Sequence, residues 1–321
     1  MVKKRIVGIC GLGHVGAHVA YSLGLMGIAD EVRLYDLKEK KLISECNDLN
    51  DAAMFLPNRT IYKVVDPAGM KDCDVIVDAI GDIELCKSFN RDSELENSVI
   101  QVSEMIPKIM AGGFNGIFVN ITNPCDVITR LIAKLSGLPK GRVLGTGTML
   151  DTARLVHQIS KFTGLDSRAF SAMMIGEHGN AQMAVWSHVN FYGRTLPQME
   201  ETLGVKLDRD EIQKDAIQGG WVTMSGKWCT EYGIASAAAT MVRTILHDEK
   251  RILPCSAPLD GEYGATDIFA GVPAIIGKDG VEKVLELDLT EAEKADFATK
   301  LATIAANVKK GEAILAAKNA K

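Results

Sequence analysis

Short apolar runs, each followed by a turn and then a longer stretch of helical periodicity, set the rhythm of the first half of the chain. Arg5 to Cys10, Glu31 to Tyr35, Asp74 to Ile80 and Gly116 to Ile121 are such runs, rich in Val and Ile. Alternation of short strands with helices builds a parallel sheet, because parallel neighbours need a crossover connection. Val75 to Ala79 is apolar without alternation except at Asp78, as expected of a strand covered by helices on both faces. The first half is therefore expected to be α/β, with a doubly wound parallel sheet.

After a further strand near Arg142 to Gly145 the rhythm changes. Strand-like segments at Ser171 to Ile175 and Ala184 to Phe191 are joined by longer helical patterns at Arg209 to Met224 and Glu231 to His247. This predicts a second, α+β domain, giving a division into residues 1–147 and 148–321. Thr290 and Glu293 have the spacing of a capping box, and the Ala-rich stretch behind them, to Lys318, predicts a closing helix. No internal repeat, low-complexity block or flexible linker interrupts the chain.

Composition narrows the class. With 321 residues and 47% apolar content, two packed domains with a sizeable core are expected. A net charge of −5, with no run of Lys or Arg, argues against a nucleic-acid partner. The seven cysteines form no Cys-x-x-Cys pair and no even framework, which fits free thiols in a reducing, cytoplasmic setting. Val2 to Leu12 carries early cations and a short apolar stretch, but its glycines argue against a signal peptide. No apolar run approaches the roughly 20 residues needed to cross a bilayer, so a soluble protein with no membrane partner is expected.

Gly11-Leu12-Gly13-His14-Val15-Gly16 follows the first strand and opens a helix, the context of a dinucleotide fingerprint. The first glycine permits a tight turn, the second admits the pyrophosphate to the backbone, and the third lets the helix lie close on the sheet. His14 and Val15 present their amides at the helix N-terminus, and Gly81 ends a neighbouring strand run. Asp36, twenty residues after Gly16, ends the second strand, where a carboxylate can accept ribose hydroxyls and repel a 2′-phosphate. NAD is thus expected over NADP, although Lys38, Lys40 and Lys41 lie close by; a helix-capping role would explain Asp36 but not the glycines. His14 and His18 are four apart, but the one further ligand at suitable spacing is Cys10, in a strand, so no metal site is expected.

Four further segments carry chemistry: Gly81 to Arg91, Asn123-Pro124-Cys125-Asp126, Asp151-Thr152-Ala153-Arg154 and Gly176-Glu177-His178-Gly179. Asn123 follows a strand of the parallel sheet, where its amide can meet a carbonyl or cap the next helix. Asp151 and Arg154 share a helix face among apolar neighbours. Either they form a structural ion pair, or Asp151 orients an imidazole while Arg154 takes a substrate carboxylate in its planar fork. His178, between glycines after a strand, has an available carboxylate partner in Asp151, which would raise its pKa and fix its tautomer for proton donation.

Together these segments resemble the L-lactate and L-malate dehydrogenase family from Lys4 to about Gly311, and most specifically over Gly145 to Arg154. Within it the likeness is nearest to the L-2-hydroxyisocaproate dehydrogenase branch. The resemblance implies an NAD-binding Rossmann domain with a second substrate domain, and hydride transfer between nicotinamide and C2 of a small L-2-hydroxy acid. It implies His178 as acid/base, Asp151 as its partner, Arg154 as carboxylate anchor, and Asn123 as a carbonyl and nicotinamide contact. It further implies Arg91 as a loop cation that closes over the substrate, Thr230 as a pocket residue, and assembly as a homotetramer or dimer.

The loop Glu84 to Arg91 is one residue longer than the family's usual Gln-Lys-Pro-Gly-Glu-Thr-Arg, so either Glu84 or Leu85 occupies the specificity position. Neither supplies the cation that malate needs, with Lys87 the remaining one. Gly219 and Gly220 remove volume from a helix resembling the pocket wall, and Leu85 adds apolar surface, which favours a medium or bulky apolar substrate. L-lactate dehydrogenase is the alternative. Val156 and Ser171 stand where fructose 1,6-bisphosphate-activated members carry an arginine and a histidine, so no such activation is expected. Asn180 replaces the usual Asp, a change the sequence does not explain. Two other classes compete: NAD-dependent family 4 glycosidases, whose metal-binding Cys and His arrangement is not recognisable here, and a non-catalytic NAD-binding protein, which leaves Arg91, Arg154 and His178 unexplained.

Overall fold

The computed structural model describes residues 3–87 and 91–320, apart from the side chains of 86, 87 and 91–93. The expected α/β alternation is present. Strand β1 (Ile6–Cys10) leads into helix α1 (His14–Leu25), β2 (Glu31–Tyr35) into α2 (Glu39–Ala53), and β3 (Ile61–Val64) into a short 3-10 turn. Then β4 (Val75–Asp78) leads to α3 (Ile83–Lys87) and α4 (Arg91–Ala111), β5 (Ile117–Asn120) to α5 (Cys125–Ser136), and β6 (Val143–Gly145) to α6 (Met149–Thr163). These strands are parallel and lie in the order β3-β2-β1-β4-β5-β6. The order reverses between β1 and β4, and such a reversal opens a crevice at the carboxyl ends of the strands.

Every residue of β4 and β5 is buried, which is why the polar Asp78 and Asn120 stand out in otherwise apolar runs. The strand at β3 has no counterpart among the sequence-predicted runs, because its Ile61-Tyr62-Lys63-Val64 is short and its last two residues are exposed.

The second half departs further from expectation. The run Ala184 to Phe191 is not one strand. It contains the end of β8 (Gln182–Ala184), a 3-10 turn at Trp186–His188 and β9 (Asn190–Phe191). Likewise β7 covers Met174–Gly176, and Ser171 makes only an isolated bridge to Asn190. Next come β10 (Arg194–Thr195), α7 (Leu196–Leu203), α8 (Arg209–Lys227) and α9 (Tyr232–Leu246).

A long antiparallel hairpin that the apolar pattern did not announce follows, formed by β11 (Arg251–Asp260) and β12 (Thr266–Gly277), with β13 (Gly280–Val284) on the outer side of β12. Through Ser256 opposite Gly145, β11 joins β6, so among the described residues one eleven-stranded sheet runs through both halves. Helix α10 (Glu291–Asn319) begins with the expected Thr290/Glu293 capping box and packs on α4, α5 and β12. Helix α9 lies on α1 and also packs on β12, with Ala235, Ala238 and Ala239 among its buried residues. Among the described residues, no helix is long and apolar enough to cross a membrane.

Candidate active site

The crevice at the β1/β4 reversal is a cleft of about 410 Å³. Gly11, Gly13, His14, Val15 and Asp36 line one end, and Asn123, Asp151, Arg154, His178 and Thr230 line the other, with Gly81 and Leu85 also on the wall. Two of the expected residues do not line it: Gly16, which sits behind the loop, and Glu84. Of the two residues considered for the specificity position, Leu85 is therefore the one on the cleft wall. Arg91 opens α4, but its side chain, like that of Lys87, lies outside the described part of the structure.

The glycine end has the shape a dinucleotide requires. A Cβ on Gly16 would stand 1.9 Å from the carbonyl oxygen of Gly11, so only glycine lets α1 lie this close to the turn. A Cβ on Gly13 would meet nothing within 4 Å, which leaves the backbone open to the cleft at the helix N-terminus, where amides and dipole favour a pyrophosphate. Asp36 accepts hydrogen bonds from the amides of Leu12 at 2.6 Å and Lys38 at 2.8 Å. It thus braces the glycine loop while facing the cleft; it does not cap α2, whose N-cap is Lys38. Lys38 and Lys41 line the same end.

His14 is the first residue of α1. Its Nδ1 lies 2.9 Å from Glu231, a residue just before α9, and Cys229 is close to both. The other oxygen of Glu231 is held by Lys227, so the arrangement is a charge network between the glycine loop and the approach to α9. Spacing along the chain could not show it, since its members are over 200 residues apart. His18 turns back to the His14 carbonyl oxygen at 2.6 Å, and Cys10 is buried in β1.

At the other end, Asp151 is almost completely buried in the first turn of α6. One oxygen takes a hydrogen bond from His178 Nδ1 at 2.6 Å; the other accepts from Arg154 at 3.1 Å and from Gln182 at 3.1 Å. The ion pair and the imidazole partnership are thus simultaneous rather than alternatives. Arg154 also reaches the Thr230 hydroxyl at 3.4 Å. Gly176 and Gly179, on either side of His178, have φ of +111° and +135°, the region where side chains are strained, and this lets the chain double back with the imidazole facing inward.

Burial alone would raise the Asp151 pKa, but the charge and hydrogen bond of His178, together with Arg154, hold it below the usual carboxylate range. Burial would lower His178, yet the charge and hydrogen bond of Asp151, aided by Asp126, raise it against the opposing charge of Arg154. The pair can therefore hold a proton on the imidazole near neutral pH and, with Nδ1 engaged, offer it from Nε2.

Asn123 does not cap α5: Pro124 is the N-cap residue, and no side chain closes a capping bond there. Among the described residues, nothing hydrogen-bonds the Asn123 amide, which faces the cleft. The space left by Gly219 and Gly220 is bordered by Arg154, whose side chain would lie 3.4 Å and 3.2 Å from Cβ atoms placed there. Gly220 lines the cleft and gives room to the guanidinium, while Gly219 stands in ordinary contact with the Arg154 methylene stem. Ile217, Trp221 and Met224 of the same helix line the cleft.

Family models match the whole of this architecture: the lactate/malate dehydrogenase NAD-binding domain over residues 5–145 and the alpha/beta C-terminal domain of the same enzymes over 148–315. The chain belongs to the lactate/malate dehydrogenase family. Relatives include an L-lactate dehydrogenase of Fusobacterium nucleatum, 43% identical over 304 residues that cover 92% of this chain and 94% of that protein. L-lactate dehydrogenase 2 of Listeria monocytogenes is 38% identical, covering 94% and 98%. Among solved structures, the ligand-bound minor L-lactate dehydrogenase of Enterococcus mundtii superposes with a TM-score of 0.90 at 31% identity, covering 95% of this chain and 98% of that one. As a member of this dehydrogenase family the protein is an NAD-dependent oxidoreductase acting on small 2-hydroxy acids, and its glycine end fits that cofactor.

Sequence reasoning missed Gln182 and Ser256 around the dehydrogenase's imidazole, and gave no role to Asp126 although it lies in the Asn123 to Asp126 segment. Asp126 carried a faint signal, a charge in the first turn of a helix otherwise buried at Val127, Ile128 and Leu131. Gln182 and Ser256 gave none.

Proposed function

We propose that the protein is an L-lactate dehydrogenase, interconverting pyruvate and L-lactate. The observation that carries this reading is the His178–Asp151–Arg154 constellation on the wall of the NAD cleft; the names of the relatives favour lactate over other acids. Residues 1–147 hold the cofactor and residues 148–321 supply most of the proton-transfer site.

Bound NADH supplies a hydride for C2 of the 2-oxo acid. Arg154 takes the substrate carboxylate in its planar fork, with Thr230 beside it. Asn123 donates to the reacting carbonyl, and protonated His178 gives its Nε2 proton to the carbonyl oxygen as Asp151 stabilises the imidazolium. Arg91 is assigned the closing cation that excludes water and polarises the carbonyl. In the reverse direction neutral His178 takes the hydroxyl proton. A cytoplasmic homotetramer or dimer is the proposed working form.

A second reading, a preference for bulkier acids such as 2-oxoisocaproate, draws support from the apolar wall of Leu85, Ile217 and Met224. Each buried methylene is worth only about 1 kcal/mol, so the two readings differ by modest factors. The test is kcat/KM for NADH oxidation against pyruvate, 2-oxoisocaproate, phenylpyruvate and oxaloacetate. Preference for pyruvate is expected. Preference for the two bulky acids would replace this reading with the second, and dominance of oxaloacetate would reject both.

A further inference from the structure

Behind the imidazole lies a second carboxylate that the mechanism above does not use. Asp126 is buried in the first turn of α5. One of its oxygens accepts the main-chain N–H of His178 at 2.9 Å, and the other accepts the Ser256 hydroxyl of β11 at 2.6 Å. Asp126 stands three residues after Asn123, so a single turn of chain carries both the amide that faces the cleft and the clamp on the acid/base residue. The clamp joins three segments distant in sequence: the first turn of α5, the turn after β7, and the centre of the β11 hairpin strand.

We propose that Asp126 is a positioning residue for proton transfer, pinning the main chain of His178 to the strand end that presents Asn123. The proposal rests on the reading of His178 as the proton donor. A main-chain clamp suits this place because Gly176 and Gly179 free the backbone around His178, and freedom at a catalytic side chain has to be restrained for the imidazole to meet its target. Asp151 fixes the ring, and Asp126 fixes the backbone that carries it.

The clamp is also electrostatic. Burial pushes Asp126 up to about 7, against the Ser256 hydroxyl and the His178 amide, while Glu177 adds to the rise. In its ionised form Asp126 adds to the negative charge that keeps His178 protonated. The groups facing the pair are Asp151 and Arg154 from α6, Glu177 from the turn itself, bonded to Asn307 of α10 at 2.7 Å, and Cys255 from β11, next to Ser256. Among the described residues, none of these groups hydrogen-bonds both the main chain of His178 and a residue of the hairpin, as Asp126 does.

The test is an NMR titration of the histidine rings in the intact protein, with the His178 resonance assigned by its loss in His178→Asn. Asp126→Asn keeps an acceptor for the His178 amide and removes the charge. It is expected to lower the His178 midpoint by on the order of half a unit to one unit, moving the alkaline limb of 2-oxo acid reduction the same way while KM for NADH holds. Ser256→Ala, which leaves Asp126 in place but removes its second donor, favours the protonated carboxyl and is expected to shift the midpoint in the same direction by less. An unmoved midpoint in either folded variant, even with reduced activity, would overturn the electrostatic role of Asp126. Should Asp126→Asn fail to fold, Ser256→Ala decides alone. Turnover persisting in His178→Asn would instead overturn the proton-donor reading, a different failure from an unmoved midpoint.

Discussion

Asp78 at the end of β4 and Asp151 in the first turn of α6 are both about 1% exposed, yet their pKa values move in opposite directions. Asp151 meets an imidazole, a guanidinium and an amide, and its carboxyl is held below the usual range. Asp78 has no hydrogen bond of good geometry on either oxygen among the described residues. Burial pushes it up to about 7, with the Thr122 hydroxyl and the Ile80 amide offsetting only part of that rise. Burial sets the cost of a charge, and partners decide whether it is met. The charge is favoured at the end of the cleft where proton transfer is proposed, and it is disfavoured at the strand end beneath the cofactor loop.

The largest expected effect comes from breaking the partnered member of this comparison. Asp151→Asn removes the charge that holds the proton on His178, so kcat/KM for 2-oxo acid reduction should fall about a hundredfold or more at neutral pH. Its alkaline limb should also move to lower pH, because the His178 pKa is raised by this charge and drops without it. A pH–rate profile checks both, and an unchanged limb would show that Asp151 acts through geometry alone.

The unpartnered member should respond through stability instead. A carboxyl whose folded pKa lies above its unfolded value stabilises the fold at low pH, and that contribution is lost as pH rises toward the folded value. For Asp78 the window runs from about 4 in the unfolded chain to about 7 in the folded one, with a ceiling of ~4 kcal/mol for a three-unit difference. Asp78→Asn should therefore gain in Tm relative to the parent on going from pH 5 to pH 8, by the equivalent of about 1–3 kcal/mol. Equal differences at the two pH values would mean that the carboxyl is partnered after all.

The smallest effect tests whether Asp151 is also reached from outside. Val156, five residues along α6, lines a surface cavity of about 550 Å³ with His157 and Ser160. With Val156 and Ser171 in place of a cationic pair, fructose 1,6-bisphosphate should leave the saturation curve for pyruvate unaltered; a large rate increase would show that α6 transmits binding to Asp151 by another route.

The two ends of the cleft also differ in how far they could be read from sequence. The glycine turn, Asp36 and the strand–helix alternation lie within 36 consecutive residues, and their physics is local: a Cβ that will not fit, an amide row at a helix start, a carboxylate at a strand end. The motif segments around Asp151 and His178 were visible too, but His178, Asp126 and Ser256 come from three distant stretches. No periodicity records such meetings. The hairpin of β11 and β12 escaped for a related reason: Pro254, Pro258 and Pro273 sit within it, breaking the pattern by which strands are recognised.

By itself the sequence determined the parallel first half, the dinucleotide loop and the residue types that proton transfer requires, because these follow from steric limits and periodicities within one or two elements. Tertiary structure alone decided that Arg154 and His178 share one carboxylate, that the glycines of α8 border a guanidinium, that His14 pairs with Glu231, and that Asp126 braces the imidazole's backbone. Each of these is a charge or a shape whose meaning depends on what the fold brings within about 3 Å of it, and chain separation carries no information at that range.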